Sequence, residues 1–173
     1  GDDAAGSSIS SKLSADLRGL KQASRNSNDA VSVIQTAEGA MNEINGLLTR
    51  MRELAVQSAN GGTMTSDERG YIDQEFQLLE AEINRIVNVT EFNGQKLIDG
   101  SLSSGVDFQV GMNNTANDRI GLTVTDTKST ALGLNDDLLT SQTGARAAID
   151  ALDTAIQSVA TSRGTLGTTQ NRL

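Results

Sequence analysis

The stretch Val31–Ala55, VSVIQTAEGAMNEINGLLTRMRELA, decides the fold. Val31, Ile34, Met41, Ile44, Leu48, Met51 and Ala55 recur at spacings built from threes and fours, the period of a helix with one buried stripe. Toward the N-terminus the same period runs back through Leu20, Leu17 and Leu13, with polar interruptions at Ser24, Ser27 and Glu38. Toward the C-terminus it ends at Asn60-Gly61-Gly62-Thr63, where glycine supplies the positive φ that a helix end favours. The spacing predicts one helix over about residues 3–59, roughly 85 Å long at about 1.5 Å per residue. A rod of that length needs partner helices alongside it.

Two further helices are legible. Thr65 or Ser66 caps a second one to about residue 88, with acids in its first turn and a stripe of Ile72, Phe76, Leu79, Ile83 and Ile86. A third spans about 141–173, with a seam predicted at Ala145, Ile149, Leu152, Ile156, Val159, Arg163, Leu166, Gln170 and Leu173. Gly164 and Gly167 weaken it by up to ~1 kcal/mol each and leave room for another helix to approach. Between the second and third helices the period drops to two. Val106, Phe108 and Val110 alternate, Ile120, Leu122 and Val124 alternate again, and the intervening Met112–Asp118 is turn-rich, which reads as a β-hairpin within about 95–134. Glu91-Phe92-Asn93-Gly94 closes the helical part with a tight-turn signal. The fold class that follows is mainly α with a small β part: an elongated antiparallel coiled-coil bundle of three helices, one very long, with the hairpin as a cap or protrusion at one end. The whole of 1–173 reads as one domain.

Composition excludes much chemistry. The 173 residues contain no Cys, no His and no Pro, and only four aromatic side chains: Tyr71, Phe76, Phe92 and Phe108. Without Cys there is no disulfide, thiolate nucleophile or zinc–thiolate site, and without His the commonest general base is gone. Average usage would give roughly nine prolines, and proline costs a helix interior ~3 kcal/mol, so long helices have reason to avoid it. Serine–lysine chemistry needs a buried lysine, whereas Lys12, Lys21, Lys96 and Lys128 all sit among polar residues. No enzyme, cofactor or metal site is expected. The net charge is -8 without a basic cluster, which argues against nucleic acid and anionic membrane as partners. No run of about 20 apolar residues is present to span a bilayer. The chain starts without Met and ends inside a helical pattern, and reads as a piece of a longer protein.

Several strings carry a resemblance: DDAAG at residues 2–6, GLKQASRNSND at 19–29, QTAEGAMNEIN at 35–45, RMRELAVQSAN at 50–60, EFNG at 91–94 and GTTQNR at 167–172. Together, and in this order from end to end, they resemble bacterial flagellin; the run at 50–60 is the most specific. The resemblance implies a structural subunit of the bacterial flagellar filament. It implies export through the flagellar secretion apparatus with an export chaperone, and assembly with other subunits outside the cell. Pairing terminal segments, absent here, form the family's inner tube, so this chain alone is expected to stay monomeric. An alternative in the same class is a flagellar hook–filament junction protein, which the exact run at 50–60 disfavours. The resemblance further implies a ligand of animal toll-like receptor five. Its contact positions map onto Arg50, Leu54 and Glu75, with Arg52, Glu53 and Gln57 as neighbours. Arg50, Leu54 and Gln57 are four and three apart and so share a helix face, with Leu54 expected exposed beside the arginine.

Bland readings compete with each of these. From spacing alone the Arg50 face is an ordinary solvated or packing face, about four times as often as not. The sequons Asn88-Val89-Thr90 and Asn113-Asn114-Thr115 read as capping and turn residues. Surface Ser and Thr of the hairpin are open to O-linked sugar. The acid pairs Asp2-Asp3 and Asp136-Asp137 lack the converging donors a hard cation needs, and Asp150 and Asp153 read as a solvated helix face.

Overall fold

A computed structural model describes residues 2–134 and 138–173. Three helices carry the chain: α1 (Asp2–Ser58), α2 (Ser66–Val89) and α3 (Gln142–Gln170). Between α2 and α3 lie four short strands, β1 (Glu91–Phe92), β2 (Gln95–Lys96), β3 (Val106–Gln109) and β4 (Arg119–Leu122), with a short 3-10 turn at Ala116–Asp118. The acid pairs Asp2–Asp3 and Asp136–Asp137 lie outside the residues whose side chains are described.

The long seam is built to a strict alternation. On α1 the seam positions are Ala30, Ile34, Ala37, Met41, Ile44, Leu48, Met51, Ala55 and Ser58, four and three apart, with Ala23 and Leu54 also buried outside that series. On α3 they are Ala145, Ala148, Leu152, Ala155, Val159, Ser162, Leu166 and Thr169, three and four apart. Such spacing sustained over about four heptads is the pattern of a coiled coil. The α3 seam is thus shifted by one position at every second site from the sequence expectation. Ala148, Ala155, Ser162 and Thr169 face inward, while Ile149, Ile156, Arg163 and Gln170 are only half-buried at its margin. The reason is size: small side chains on the seam let the two backbones close up, and the larger ones then wrap its edge. Val31 likewise yields to Ala30 on α1. Among the described residues nothing lies within 4 Å of where a Cβ would stand at Gly164 or Gly167, so neither marks the approach of α1 to α3.

Both α2 and α3 run antiparallel to α1. Arg50 meets Glu75 on one side, while Arg52 meets Asp153 and Glu38 meets Arg163 on the other. The α1–α2 turn is held by named groups. Thr65 accepts from the Glu68 backbone N–H while the Glu68 carboxylate accepts from the Thr65 backbone N–H, a capping box that satisfies two donors at the start of α2. The Arg69 guanidinium donates to the carbonyls of Ser58, Asn60 and Met64. Those carbonyls belong to the end of α1 and the turn, where helix acceptors lack partners. Gln142 donates to Ala59 O, which ties the start of α3 to the same place.

The expected hairpin is present, but as the second of two. Glu91-Phe92-Asn93-Gly94 is not merely a stop. Asn93 (φ 50°) and Gly94 (φ 78°) are both left-handed, as a two-residue primed turn demands, and they pair β1 with β2. β3 and β4 pair antiparallel from Val106↔Leu122 to Gln109↔Arg119. Val110 and Val124, expected inside these strands, fall just outside them. Val124 N–H donates instead to Leu102 O, in a return segment that runs beside residues 98–102. Leu97, Ile98, Leu102, Leu122, Val124, Leu132, Leu134 and Leu139 join the same core as the helices. The β3–β4 hairpin lies past the end of α2 against α1, where Asn26 Nδ2 donates to Gln109 O.

Beyond the hairpin α1 has no described partner. Ile9, Leu13, Leu17 and Leu20 are 52–62 % exposed. The sequence stripe is therefore buried from Ala23 onward and open before it, because neither α2 nor α3 reaches that far among the described residues.

Candidate functional site

The expected contact residues sit on α1 and α2 near their shared turn, and the structure divides them. Arg50 and Glu75 come together: Nε and Nη2 of the guanidinium both donate to Glu75 Oε1, at 3.0 and 2.8 Å. Nη1 of Arg50 donates to Glu53 Oε2 at 3.0 Å, so one cation spans two carboxylates. Hydrogen bonding to Glu75 first, and then to Glu53, holds the guanidinium pKa above its ordinary value. Both partners are about half exposed (49 % and 47 %), so the pair contributes little to stability and much to the charge pattern of the surface. Gln57 is exposed on the same side of α1.

Two residues depart from the expectation. Leu54 is 1 % exposed and belongs to the core. It stands roughly 40° around the helix from Arg50, at about 100° per residue, next to Ala55 of the seam and within the shared core. It is not the exposed leucine beside an arginine that spacing suggested. Arg52 points the other way. Its Nε donates to Asp153 Oδ1 of α3 at 2.5 Å and its Nη2 to Asp153 Oδ2 at 3.3 Å. Asp153, read from sequence as solvated face, is therefore an ion-pair partner, and the adjacent Arg52 holds its carboxyl below the usual range. The flank reachable in one contact is Arg50, Glu53, Gln57 and Glu75, with Leu54 beneath and Arg52 around the rod.

Sequence reading missed the apolar side chains on this flank. Tyr71 (72 % exposed) and Leu78 (71 %) project from α2. They are seven residues apart and out of phase with the buried stripe of α2, and that phase error was the available signal. Among the described residues no group of three or more Asp or Glu side chains is placed to hold a metal ion. No described helix is long and apolar enough to cross a membrane.

Comparison with known proteins places this geometry. The model of the bacterial flagellin N-terminal helical region matches residues 1–103. The flagellin of Halalkalibacterium halodurans is 47 % identical over 173 residues, all of this chain and 63 % of that protein. The chain thus spans less than two thirds of that relative's length. Among solved structures, a Bacillus cereus flagellin superposes with a TM-score of 0.74 at 34 % identity, covering 86 % of this chain and 84 % of that one. A putative flagellar hook-associated protein from Vibrio parahaemolyticus superposes with a TM-score of 0.73 at 15 % identity, covering 93 % and 84 %. At that identity the second match speaks to fold alone, so the rod does not by itself separate the two kinds of protein; the sequence matches do.

Proposed function

The chain belongs to the bacterial flagellins, and on that premise we propose that it is a structural subunit of the flagellar filament, with no catalytic role. The observation that carries the reading is the α1–α3 seam, four-three spaced for about four heptads within a chain whose motifs match flagellins from end to end. A coiled-coil rod is stiff along its length and offers long sides to its neighbours, so many modest contacts per subunit add up to a rigid polymer. The subunit is exported through the flagellar secretion apparatus with an export chaperone, and its place is outside the cell, in the flagellum. A hook–filament junction role is the weaker alternative, because identity to flagellin extends over the whole chain. The test is genetic and visual. Cells in which Met41→Asp breaks the seam should be non-motile and bald by electron microscopy, while the conservative Met41→Leu restores filaments. Normal filaments in cells lacking this chain altogether would sink the reading.

We also infer that the free subunit is a ligand of animal toll-like receptor five through the flank of Arg50, Glu53, Gln57 and Glu75, with Arg52 and the buried Leu54 supporting its shape. The Arg50–Glu75 bridge favours this, since it fixes both side chains on one surface from two different helices. Glu75→Lys should cut receptor signalling at least tenfold with an unchanged helical circular-dichroism spectrum. Unchanged signalling from a folded Glu75→Lys protein would remove the assignment.

A further inference from the structure

Helices α2 and α3 both pack on α1 and scarcely approach each other, and the return segment joins the core between them. That segment leaves α3 at Thr125, whose Oγ1 lies 2.5 Å from Ser162 Oγ. The N–H and Oγ1 of Thr127 both donate to Ile98 O at 3.0 Å. Residues 128–134 then form a single helical turn. Leu132 N–H donates to Lys128 O, Leu134 N–H to Ser129 O and Gly133 N–H to Thr130 O, with Gly133 left-handed at φ 79°. The last two bonds are a Schellman closure, and Leu132 and Leu134 are buried in the shared core. Asn84 of α2 caps the other end of the turn. Its Oδ1 accepts from Ser129 N–H at 3.0 Å, and its Nδ2 donates to Ser129 Oγ at 2.8 Å. Past the turn the chain is fixed again, where Leu139 N–H donates to Asp73 Oδ1 and Leu139 O accepts from Ser58 Oγ.

We propose that residues 128–134 are a releasable wedge: the turn swings out from between α2 and α3, pivoting on its anchors at Thr127 and Leu139, with Asn84 as its latch, while the α1–α3 seam stays closed. One helical turn is too short to hold its shape without the surface it packs on. Its backbone tie to α2 runs through one side-chain amide rather than through a ladder. A segment with few buried apolar side chains and no ladder opens at lower cost than the whole molecule unfolds. Neither helix needs the wedge to stay on α1. The seam holds α3, while the capping box, Arg69 and the Arg50–Glu75 bridge hold α2. Asn84 is a positioning residue, since both of its bonds to Ser129 are lost when the turn leaves. Opening uncovers an apolar slot between the two helices and frees α2 to shift against α3, with the long axis of the rod intact.

The native chain has no cysteine, so a single introduced thiol reports its own exposure. Leu134→Cys, in the turn, and Leu48→Cys, in the seam, are each labelled with a slow thiol reagent across a urea series below the unfolding transition. Both positions are buried in the closed state. Labelling of Leu134→Cys should rise with urea much less steeply than labelling of Leu48→Cys, because the slope follows the surface that opening uncovers. Slopes, unlike rates, are insensitive to the destabilisation that each cysteine brings. Asn84→Ala should speed labelling of Leu134→Cys about tenfold by removing both bonds to Ser129. Asn84→Asp keeps an acceptor for the Ser129 N–H and hydroxyl, and should restore most of the slow rate. Equal slopes would mean that the turn opens only when the bundle unfolds, and an Asn84→Ala rate equal to the parent's would remove the latch; either result refutes the wedge. Amide hydrogen exchange on the unsubstituted chain covers variants that fail to fold. The amides of Ser129, Leu132 and Leu134 should exchange together, with a shallower urea dependence than those of Leu48 and Met51. Merging of the two sets would overturn the proposal.

Discussion

At the scale of single residues, the Arg50 flank shows how spacing misleads at a helix margin. Arg50, Leu54 and Gln57 do share a side of α1, as four-three spacing requires, but a side is wide enough to hold both a solvated arginine and a core leucine. What decides between them is how closely the neighbouring helix approaches, and that is not written in α1. Leu54→Ala is therefore a core truncation, expected to cost about 2–5 kcal/mol by chemical denaturation, with Leu54→Met nearly neutral. A loss of receptor signalling in Leu54→Ala alone reports on folding, whereas Glu75→Lys reports on the surface. The Arg52–Asp153 pair carries a pH signature. The guanidinium hydrogen bond depresses the Asp153 carboxyl, and the Thr65 backbone N–H depresses that of Glu68. A depressed carboxyl stabilises the fold above the unfolded-state pKa, about 4 for these groups, and that contribution is lost as pH falls through the lower folded-state value. The thermal midpoint should drop as pH falls below that unfolded-state value, and less steeply in Asp153→Asn. Parallel curves for the two proteins would mean the pair contributes nothing.

Elements divide between those that local chemistry specifies and those that need the rest of the molecule. The second helix announces itself: Thr65 and Glu68 at capping spacing, acids in the first turn, then a clean stripe. The turn before it does not, since nothing in Asn60–Met64 indicates that Arg69 will reach back to three carbonyls. Arg69→Met keeps the side-chain bulk and removes those donors, and about 1–3 kcal/mol should be lost. Proteolysis at Gly61–Gly62 should accelerate in step. A variant as stable as the parent would show that water replaces the guanidinium freely. The number of helices and the main hairpin were legible because burial imposes a period of 3.6 or 2 on the large side chains. The exact α3 seam was not, because Ala148, Ala155, Ser162 and Thr169 carry too little apolar area to mark a stripe, yet their smallness is what lets α3 settle there. The β1–β2 hairpin was hidden for a different reason: each strand is two residues long, too short to display alternation, and only the left-handed pair Asn93–Gly94 betrays it.

For the whole molecule, burial is graded along the long axis, and stability should follow that gradient. The central part of α1 is enclosed by α2 and α3, with Ile34, Met41, Ile44, Leu48 and Met51 fully buried. Its first turns have Ile9, Leu13, Leu17 and Leu20 open to solvent, no described helix beside them, and glycines at residues 6 and 19. Isolated helices shorter than about 12–15 residues are marginal in water, and each glycine lowers helicity by ~1 kcal/mol relative to alanine. The overhang thus depends on propagation from the enclosed part, and its backbone hydrogen bonds open by fraying, without unfolding of the bundle. Amide hydrogen exchange on the monomer at micromolar concentration should show residues 6–20 exchanging at least a hundredfold faster than residues 34–55, with the step near Ala23, where burial begins. Uniform protection along α1 in the monomer would mean that the exposed leucines already find a partner in solution, and self-association seen by sedimentation would then identify it as a second chain.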